Sequence, residues 1–386
     1  MEADNWSDGD ATRRRSALHR VWRALVGFLR RLRPWIWFRA RSSTWRVSQW
    51  GAGQQPPVQE ARVLVLGASD TGKSTFMKQM KHVFGRGYPV DDRRRHQPHI
   101  RRNLLESLHK IVVAMGNYDI IYDTLETEAA AQRFTDMEHL DEFLREDAPI
   151  DPLLVEQTRL LWSDSGVQNV YLRGNEYHLM SNAEHFISHA DRILNENYIP
   201  TVEDILRMRY PTRGSVTSTY DLGDIRMTMH DIGGQRPERS EWVNQLHDPT
   251  AILFLASLSE YDQRVEEAPE DKNRVEESLD IFEDLLDYPP FKATPVILLL
   301  NKSDIFHRKI QYHNLRDYFP SYDGPSDDEL TGRDFIAGLY KDVALRHGRH
   351  FVVRFTEATN TENFMAIFSF IRANVSRNIM SRGGLF

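Results

Sequence analysis

Lysine and serine side chains at the end of a glycine-bounded turn can bind phosphate, and this chain has that arrangement at residues 67–75. Residues 63–66 are apolar and predict a short buried strand, and the segment after the turn can form a helix. The backbone N–H groups of residues 70–75 would then converge on phosphate groups at a helix N-terminus, where unpaired donors and the helix dipole favour negative charge. We expect Lys73 to reach the β- and γ-phosphates and the Ser74 hydroxyl to ligate Mg²⁺. The alternative is a glycine-rich turn that matches the pattern GxxxxGK[ST] by chance.

A second motif, DIGGQ at residues 231–235, directly follows a predicted β-hairpin at residues 215–230. At the end of a strand, the carboxylate of Asp231 can hold Mg²⁺ through water, and Gly234 can offer its N–H group to a γ-phosphate. Gln235 is then placed to orient an attacking water molecule. Alone the motif is a weak signal, because Gly-Gly turns after strands are common.

A third motif, NKSD at residues 301–304, follows the apolar run 297–300. Polar residues at the carboxyl end of a buried strand are where ligands bind in doubly wound sheets. The carboxylate of Asp304 can accept hydrogen bonds from guanine N1–H and the exocyclic amine, a pair that adenine does not present. A predicted strand at 351–355 leads into the TEAT sequence, where the N–H group of Ala358 could reach guanine O6. Taken alone, each segment is also compatible with an ordinary strand-to-helix turn.

The composition is typical of a globular protein, with 40% hydrophobic and 27% charged residues and a formal net charge of −7 over 386 residues. The length allows two domains. No apolar run approaches the ~18 residues that a membrane span needs, so we expect no transmembrane segment. The chain has no cysteine, which excludes disulfides, thiolate metal sites and palmitoylated cysteine.

Strand signals are absent for more than a hundred residues after the first motif. Apolar spacing near 3.6 residues predicts helices at 75–83, 100–115, 135–145, 152–164 and 183–195. We therefore expect an all-helical domain at residues 88–203, inserted into a nucleotide-binding α/β domain made of residues 59–87 and 204–386. A helical insertion in that position suggests a lid over the site.

The first 58 residues differ from the rest because arginine and tryptophan are abundant and acidic residues are absent between Ala11 and Gln59. Apolar spacing predicts an amphipathic basic helix at residues 12–33, which Pro34 ends. Such a helix can lie on an anionic membrane surface or dock on a partner protein. An inert or targeting arm is the third alternative.

The ordered motifs GASDTGKST, RMRYPTRG, DIGGQRPER, NKSD and TEAT, with a helical stretch between the first two, resemble the α subunit of heterotrimeric G proteins. The resemblance covers roughly residues 60–386 and also includes LWSDSGVQ, NYIPT and LSEYD. It implies a Ras-like P-loop GTPase domain, a mostly parallel six-stranded sheet with helices on both faces, and an inserted all-helical domain. It further implies hydrolysis of GTP to GDP and phosphate with Mg²⁺.

Carried over by position, the resemblance implies three catalytic residues. Arg209 would be an arginine finger that stabilises charge on the γ-phosphoryl group, Gln235 would position the water, and Lys73 would contact the phosphates. The implied metal ligands are Ser74 and Thr212. The nucleotide would be bound by Asp70, Thr71, Gly72, Lys73, Ser74, Thr75, Asp164, Ser165, Leu206, Arg207, Met208, Arg209, Asp231, Ile232, Gly233, Gly234, Gln235, Asn301, Lys302, Ser303, Asp304 and Ala358.

Loss of the γ-phosphate would release the segments around Thr212 and Gly234, so the resemblance implies a switch whose product is a changed surface. Arg239 and Glu277 resemble the pair that holds the second segment in the GTP state. The implied partners are a G protein βγ dimer, a G-protein-coupled receptor bound through the C-terminal helix at 363–380, an effector, and a regulator of G protein signalling. We expect no nucleic-acid partner.

Several positions depart from the family pattern. Ser69 stands where most members have glycine, and its side chain is expected to crowd the transition state and slow hydrolysis. Glu357 replaces a usual cysteine, which is tolerable if only backbone N–H groups touch the base. Ser240 and Glu241 stand where basic residues are usual, which leaves open how tightly the chain binds a βγ dimer.

The chain begins Met1-Glu2, so neither a myristoyl glycine nor a palmitoyl cysteine is available in the usual way. We expect the basic N-terminal helix to replace the lipids and to hold the protein peripherally at the cytoplasmic face of the plasma membrane. Gly383 occupies the position of a cysteine that some bacterial toxins modify, so that modification is not expected.

Two other functions are compatible with the sequence. The chain could bind guanine nucleotide and act as a scaffold that barely hydrolyses it, which Ser69 favours and which Arg209 and Gln235 oppose. It could also be a P-loop ATPase or nucleotide kinase, which Asp304 disfavours.

Overall fold

A six-stranded β-sheet is at the centre of the structure, a computed structural model that describes residues 58–136, 151–210, 214–233, 248–265 and 272–382. The strands are β1 (Gln59–Leu66), β2 (Ser215–Asp221), β3 (Ile225–Ile232), β4 (Ala251–Ser257), β5 (Val296–Asn301) and β6 (Phe351–Phe355). Their order in the sheet is β2-β3-β1-β4-β5-β6. Strands β2 and β3 are antiparallel, and every other neighbouring pair is parallel. Connections leave β1 toward both edges, so the sheet is doubly wound and its ligand crevice is expected at the carboxyl ends of the central strands.

The sequence of each strand agrees with its place in the sheet. Strands β4 and β5 read AILFLAS and VILLLN, and they are buried along their whole length. Parallel strands that are covered on both faces are typically continuous apolar runs of this kind. The edge strand β2 is rich in serine and threonine and is mostly exposed.

Helices cover both faces of the sheet and also form a separate group between β1 and β2. The described helices are α1 (Lys73–Phe84), α2 (Val90–Arg95), α3 (Gln97–Asn117), α4 (Leu125–Ala131), α5 (Pro152–Ser163), α6 (Ser165–Leu172), α7 (Ala183–Ser188), α8 (Ala190–Ile193), α9 (Val202–Arg207), α10 (Arg274–Asp287), α11 (Ser303–Lys309), α12 (Glu329–Arg346) and α13 (Thr361–Arg382).

Alternate residues of β1 belong to two different core clusters. Leu64 and Leu66 pack in a cluster with side chains of α10 and α12, whereas Val63 and Val65 pack in a cluster with side chains of α1 and α13. Because successive side chains of a strand point to opposite faces, these clusters are the two sides of one sheet. Apolar burial on both sides holds the carboxyl ends of the strands in fixed positions.

The helices between β1 and β2 have a core of their own, which includes no strand residue. Helix α3 contributes Ile100, Leu104, Leu108, Ile111 and Met115 to it, each 1% exposed or less. Their spacing of three and four residues is that of one helix face. This part of the chain therefore folds around its own apolar centre.

The predicted fold class is confirmed by the six-stranded sheet, its mostly parallel pairing and the helices on both faces. The predicted strands 215–220 and 225–230 are β2 and β3, joined by a turn in which Gly223 has φ +88°. The predicted helices 75–83, 100–115, 152–164 and 363–380 correspond to α1, α3, α5 and α13, each within three residues at either end.

Other predictions differ from the structure. Strand β1 begins at Gln59, earlier than the predicted residue 63. The predicted helix 183–195 is two helices, α7 and α8, and its break lies at His189, whose ring Nδ1 is 2.7 Å from the carbonyl oxygen of His185. Strand β4 is not among the predicted strands, because it carries no residue with evident chemistry.

Some predictions fall on residues that the structure does not describe. These include the helix at 12–33, the whole segment 1–57 and most of the predicted helix 135–145, whose first two residues, Thr135 and Asp136, are not helical. None of the helices within the described ranges combines the length and the apolarity that a membrane span requires.

Candidate functional site

A cavity of about 550 Å³ lies against the residues that follow four parallel strands. Its walls include Lys73 after β1, Gly233 after β3, Glu260 after β4 and Lys302 after β5. The helices between β1 and β2, called the helical region below, line the other side of the cavity with residues between 171 and 182, Asn182 among them. The cavity is therefore at the position where a doubly wound sheet binds its ligand.

The turn between β1 and α1 is held in a conformation that needs two of its glycines. Gly67 has φ +143°, and a Cβ atom there would lie 2.1 Å from the carbonyl oxygen of Leu255. Gly72 has φ +100°, and a Cβ atom there would lie 2.1 Å from the side-chain nitrogen of Asn301. Asp70 also has a positive φ of 61°. Turns that contain residues with such conformations can direct several backbone N–H groups at one point and so bind anions.

Lys73 is buried in this turn, where its Nζ atom donates to the carbonyl oxygens of Gly67 at 2.9 Å and Ala68 at 2.6 Å. A cation enclosed by the turn is suited to a phosphate group that enters the same concavity. Ser74, in the first turn of α1, lines the cavity beside it.

The donors available for a cation at this place are a hydroxyl and a carboxylate. Asp231 is buried near the end of β3, and its backbone is in register with Val65 of β1, two residues before the turn. Within the described ranges there is no group of three histidine, aspartate or glutamate side chains that could hold a metal ion. A hydroxyl, one carboxylate reached through water, and phosphate oxygens are hard oxygen ligands of the kind that Mg²⁺ takes, so the residues present fit that ion.

Two hydrogen bonds from α1 hold the segment that leads to Arg209. The hydroxyl of Thr75 donates to the carbonyl oxygen of Leu206 at 3.2 Å, and Lys78 Nζ donates to that of Met208 at 2.5 Å. Burial lowers the pKa of Lys78 to about 8. The backbone before Arg209 is therefore fixed to the helix that follows the phosphate-binding turn.

Asn103 of α3 fixes the backbone of Arg209 itself. Its side chain accepts a hydrogen bond from the N–H group of Arg209 at 2.7 Å and donates to the carbonyl oxygen of the same residue at 3.0 Å. The guanidinium group is 2.7 Å from the carboxylate of Asp70, and the Arg209 side chain is 46% exposed. The structure thus brings an arginine from the helical side to the edge of the phosphate-binding turn.

Asn301 connects the turn to the loop after β6. Its side-chain nitrogen donates to the carbonyl oxygen of Thr71 at 2.9 Å, and its side-chain oxygen accepts from the N–H group of Ala358 at 3.0 Å. Ser303, the first residue of α11, also contacts that loop, because its hydroxyl donates to the carbonyl oxygen of Thr356 at 3.3 Å. A guanine O6 atom that takes the Ala358 N–H group would share it with Asn301 or replace it.

Asp304 and Glu357 are both partly buried and lie near each other. Burial and the negative charge of Asp304 raise the pKa of Glu357, while Arg207 opposes that shift. The backbone N–H of Glu357 donates to the side chain of Asn363 at 2.9 Å. The residue that departs from the usual cysteine therefore has its backbone fixed by the protein.

Glu260 is a buried carboxylate with two cationic partners. Its Oε2 atom is 3.2 Å from Arg274 Nε, and its Oε1 atom is 3.1 Å from Lys302 Nζ. Burial by itself would raise the pKa of Glu260, but the charges of Arg274 and Lys302 outweigh it and the pKa lies below its ordinary value. Arg274 Nη2 also donates to the backbone oxygen of Ser69 at 3.0 Å and is 3.4 Å from its hydroxyl.

Most predicted site residues meet at this place. Those that line the cavity are Asp70, Gly72, Lys73, Ser74, Thr75, Arg207, Met208, Arg209, Gly233 and Lys302. The hydrogen bonds described above connect four more predicted residues to this group, namely Thr71, Leu206, Asn301 and Ala358. Ile232 ends β3 directly before Gly233, and Asp304 is in the first turn of α11.

Asp164 and Ser165 are not among the residues that line the cavity, and their side chains bond within the helices between β1 and β2. The carboxylate of Asp164 caps α6 by accepting from the N–H groups of Gly166 and Val167, at 2.9 and 3.1 Å. The hydroxyl of Ser165 donates to Asp123 at 2.6 Å. The Asp164 carboxylate thus serves the helix start, as is usual for N-cap residues, whereas the Ser165 hydroxyl joins α6 to the segment before α4.

Three predicted site residues, Thr212, Gly234 and Gln235, lie outside the described residues, as does Arg239. The residues next to these gaps, Gly214 and Gly233, are joined by a backbone hydrogen bond of 3.2 Å. Glu277, the predicted partner of Arg239, is buried in the first turn of α10.

Sequence reasoning missed several residues of the site. Ser181 and Asn182 line the cavity from the helical region, and Asn182 donates to the carbonyl oxygen of Arg207 at 2.9 Å. Glu260, Arg274 and Asn103 were also not identified. Glu260 follows an apolar strand, and Asp231 was predicted from a carboxylate in that kind of position. The two cationic partners of Glu260 are distant in sequence, so its pairing was not predictable.

The NKSD motif at residues 301–304 is called the guanine motif below. Together with the sheet, the phosphate-binding turn and the inserted helices, it defines a nucleotide-binding α/β protein with a helical insertion. Residues 47–375 match the family model for the G-protein alpha subunit, and the chain belongs to that family. Membership implies a guanine-nucleotide-binding signal transducer. Members are generally GTPases that bind guanine nucleotides with Mg²⁺ and have βγ dimers, receptors and effectors as general partners.

Proposed function

We propose that the chain is a GTP-hydrolysing switch that converts GTP and water to GDP and phosphate and thereby changes the surface that its partners bind. The proposal depends mainly on one observation: a single cavity gathers the phosphate-binding turn, Arg209 and Lys302. Asn301 bonds on one side to Thr71 and on the other to Ala358, which supports a continuous site from phosphates to base.

In this proposal each end of the nucleotide has its own group of residues. The backbone of residues 70–75 and Lys73 bind the phosphates, and the carboxylate of Asp304 binds the guanine edge. A carboxylate acceptor of this type rejects a base that lacks the matching donors, because the bound base would displace water from the carboxylate without replacing its hydrogen bonds. Asp304 therefore sets the preference for guanine over adenine.

Hydrolysis requires water in line with the γ-phosphate and stabilisation of the charge that develops on it. Lys73 supplies one positive charge inside the turn, and Arg209 supplies another from its edge. Arg209 contacts Asp70 at 2.7 Å, so its guanidinium must exchange or share that carboxylate to reach phosphate oxygens. Gln235 orients the water. Ser74 and Thr212 would hold Mg²⁺, which would neutralise charge on the phosphates.

The partners proposed for the switch are those that the resemblance implies. A receptor is proposed to bind α13 (Thr361–Arg382), and a βγ dimer, an effector and a regulator of G protein signalling are proposed to bind the surfaces that change with the nucleotide. The basic residues 1–58 are proposed to hold the protein on the anionic cytoplasmic face of the plasma membrane. Binding to anionic vesicles should weaken with salt and be lost when these residues are deleted.

The test is single-turnover hydrolysis of bound γ-labelled GTP with Mg²⁺, beside a Gln235→Leu control. Cleavage by the unmodified protein and none by the control would support the switch. Tight binding without cleavage by either protein would instead support the second candidate, a nucleotide-loaded scaffold that barely hydrolyses GTP.

Ser69 is the residue that favours the scaffold. It lines the cavity and carries a hydroxyl where most members have none.

An ATPase or nucleotide kinase is separated from both candidates by thermal protection, because GDP but not ADP should raise the unfolding temperature.

A further inference from the structure

Glu260 lies at the junction of two loops that serve different ends of the nucleotide. Its side chain is 5% exposed, and each of its carboxylate oxygens faces a different cation, Arg274 for Oε2 and Lys302 for Oε1. Arg274 begins α10, whereas Lys302 comes directly before α11. These two residues are 28 positions apart by number and are connected here through one carboxylate.

Each cation continues the connection to a nucleotide loop. Arg274 Nη2 donates to the backbone oxygen of Ser69 at 3.0 Å and is 3.7 Å from the carboxylate of Asp70, so it contacts the phosphate-binding turn. Lys302 belongs to the guanine motif and has a left-handed backbone with φ +60°. The chain of contacts therefore runs from the phosphate end to the base end through Glu260.

The charges make this connection cooperative. Both cations have little exposure, 14% for Arg274 and 16% for Lys302, so water screens their interaction with the carboxylate only in part. If one cation moves away, the carboxylate holds the other more strongly, and if the carboxylate loses its charge, both cations lose their partner. The same carboxylate thus responds to events on both loops.

We propose that Glu260 is a positioning residue that couples the phosphate-binding turn to the guanine motif, so that binding at one end of the nucleotide orders the other end. This inference rests on the proposed function, because it assigns Glu260 a role in binding the same guanine nucleotide. It adds a residue outside the motifs that touch the nucleotide. Its consequence is an energetic coupling between Arg274 and Lys302, which both contact the carboxylate of Glu260.

The chain contains a matched control for a role that is only structural. Asp262, two residues further on, is also buried and also paired with a lysine, since Lys309 Nζ is 2.7 and 2.9 Å from its carboxylate oxygens. Neither of these contacts reaches the phosphate-binding turn or the guanine motif. Removing the Asp262 charge should therefore lower stability without changing the coupling.

The experiment measures the Kd and the dissociation rate of a fluorescent GDP analogue with the full chain. The variants are Arg274→Met, Lys302→Met and the double variant, each made with Glu260 and with Glu260→Gln. When Glu260 is present, the fold-change in Kd for the double variant should differ from the product of the two single fold-changes by about fivefold or more. With Glu260→Gln, the effects should multiply to within about twofold.

Additional variants separate positioning from folding. Glu260→Asp keeps the charge but is one methylene shorter, and it should give an intermediate deviation. Asp262→Asn should leave the deviation unchanged. If Glu260→Gln does not fold, the single and double variants of Arg274 and Lys302 are compared between Glu260 and Glu260→Asp. A smaller deviation with Glu260→Asp then supports the proposal, and an equal deviation opposes it.

Two results would overturn the proposal: single effects that multiply to within about twofold when Glu260 is present, or a deviation that Glu260→Gln leaves unchanged. In either case GDP binding by the unmodified chain would still support the proposed function. Failure of the unmodified chain to bind GDP at all would overturn the proposed function together with this inference, and that result is distinguishable from the first two.

Discussion

Two buried carboxylates, Glu260 beside the cavity and Asp204 in the helical region, are both paired with cations but join different parts of the chain. Asp204 contacts Arg192 at 2.6 and 2.9 Å, the hydroxyl of Tyr198 at 2.9 Å and His185 at 3.0 Å. All these partners lie within 19 positions of it. The partners of Glu260 are 14 and 42 positions away, on separate loops of the cavity.

The difference lies in what each carboxylate connects. Asp204 also forms a capping box with Thr201 at the start of α9, so its hydrogen bonds complete a helix end and its immediate surroundings. Glu260 completes no helix end and instead connects two loops. Burial and charge pairing are alike in the two cases, so they do not distinguish a stabilising residue from one that serves a binding site. The elements that are joined make that distinction.

The largest expected effect is that of Arg209→Ala on the cavity side. Its guanidinium is 46% exposed, so its removal should change stability little. Single-turnover hydrolysis of GTP should fall by about 10³- to 10⁵-fold, because the charge that stabilises the transferring phosphoryl group is lost. Binding of GDP, measured in the same preparation, should be almost unchanged. A hydrolysis rate within tenfold of the unmodified protein would contradict the assignment.

The next largest effect is expected for Asp204→Asn in the helical region. Unlike Arg209→Ala, this change should lower stability and leave the hydrolysis rate almost unchanged. Removing one partner of a buried charge network typically costs about 3–5 kcal/mol of unfolding free energy. The measurement is urea unfolding with saturating GDP. Hydrolysis per molecule of folded protein should stay within a factor of about two, since the Asp204 carboxylate has no contact with the phosphate-binding turn. A large loss of catalytic rate without loss of stability would remove the contrast between the two regions.

Acid should weaken the helical region through the same carboxylate. Burial opposes ionisation of Asp204, but hydrogen bonds from Arg192, His185 and Thr201 outweigh it and hold the pKa of Asp204 far below its ordinary value. Its stabilising contribution is therefore complete above the unfolded-state pKa of about 3.9 and decreases as the pH falls below that value. Unfolding free energies measured between pH 6 and pH 3 should decline less steeply for Asp204→Asn than for the unmodified protein. Equal slopes would show that the carboxylate has no such role.

The smallest expected effect is that of Ser69→Gly. Removing the side chain should speed single-turnover hydrolysis by about three- to tenfold, which corresponds to roughly 1 kcal/mol of barrier, because crowding of the transition state is relieved. The contact of Arg274 with the backbone oxygen of residue 69, 3.0 Å in the unmodified protein, does not need the side chain. An unchanged rate would show that the serine does not slow the reaction.

The fold and most of the site were predictable from the sequence because their signals are local. Strands β1 and β5 are apolar runs followed by polar motifs, and α3 carries its apolar residues on one face. The phosphate-binding turn follows from glycine positions that no other residue could occupy without strain. Such features depend on neighbours a few residues away, so the printed sequence contains them.

The side-chain contacts of Asp164 and Ser165 were not predictable from the sequence. Both belong to a segment that resembles the family. The Asp164 carboxylate caps α6 and the Ser165 hydroxyl donates to Asp123, while Ser181 and Asn182 line the cavity. A residue type that binds nucleotide also caps helices, and the sequence alone does not say which donor is nearer.

The sequence by itself determined the phosphate-binding turn, the guanine motif, the doubly wound sheet and the helical insertion, because each depends on residue spacing and on apolar periodicity. Only the tertiary structure decided that Asn103 fixes Arg209, that Asn301 connects Thr71 to Ala358, and that Glu260 lies between Arg274 and Lys302. These contacts join residues from 14 to 230 positions apart. Long-range contacts of this kind are set by how the sheet and helices pack, and no local pattern of residues encodes them.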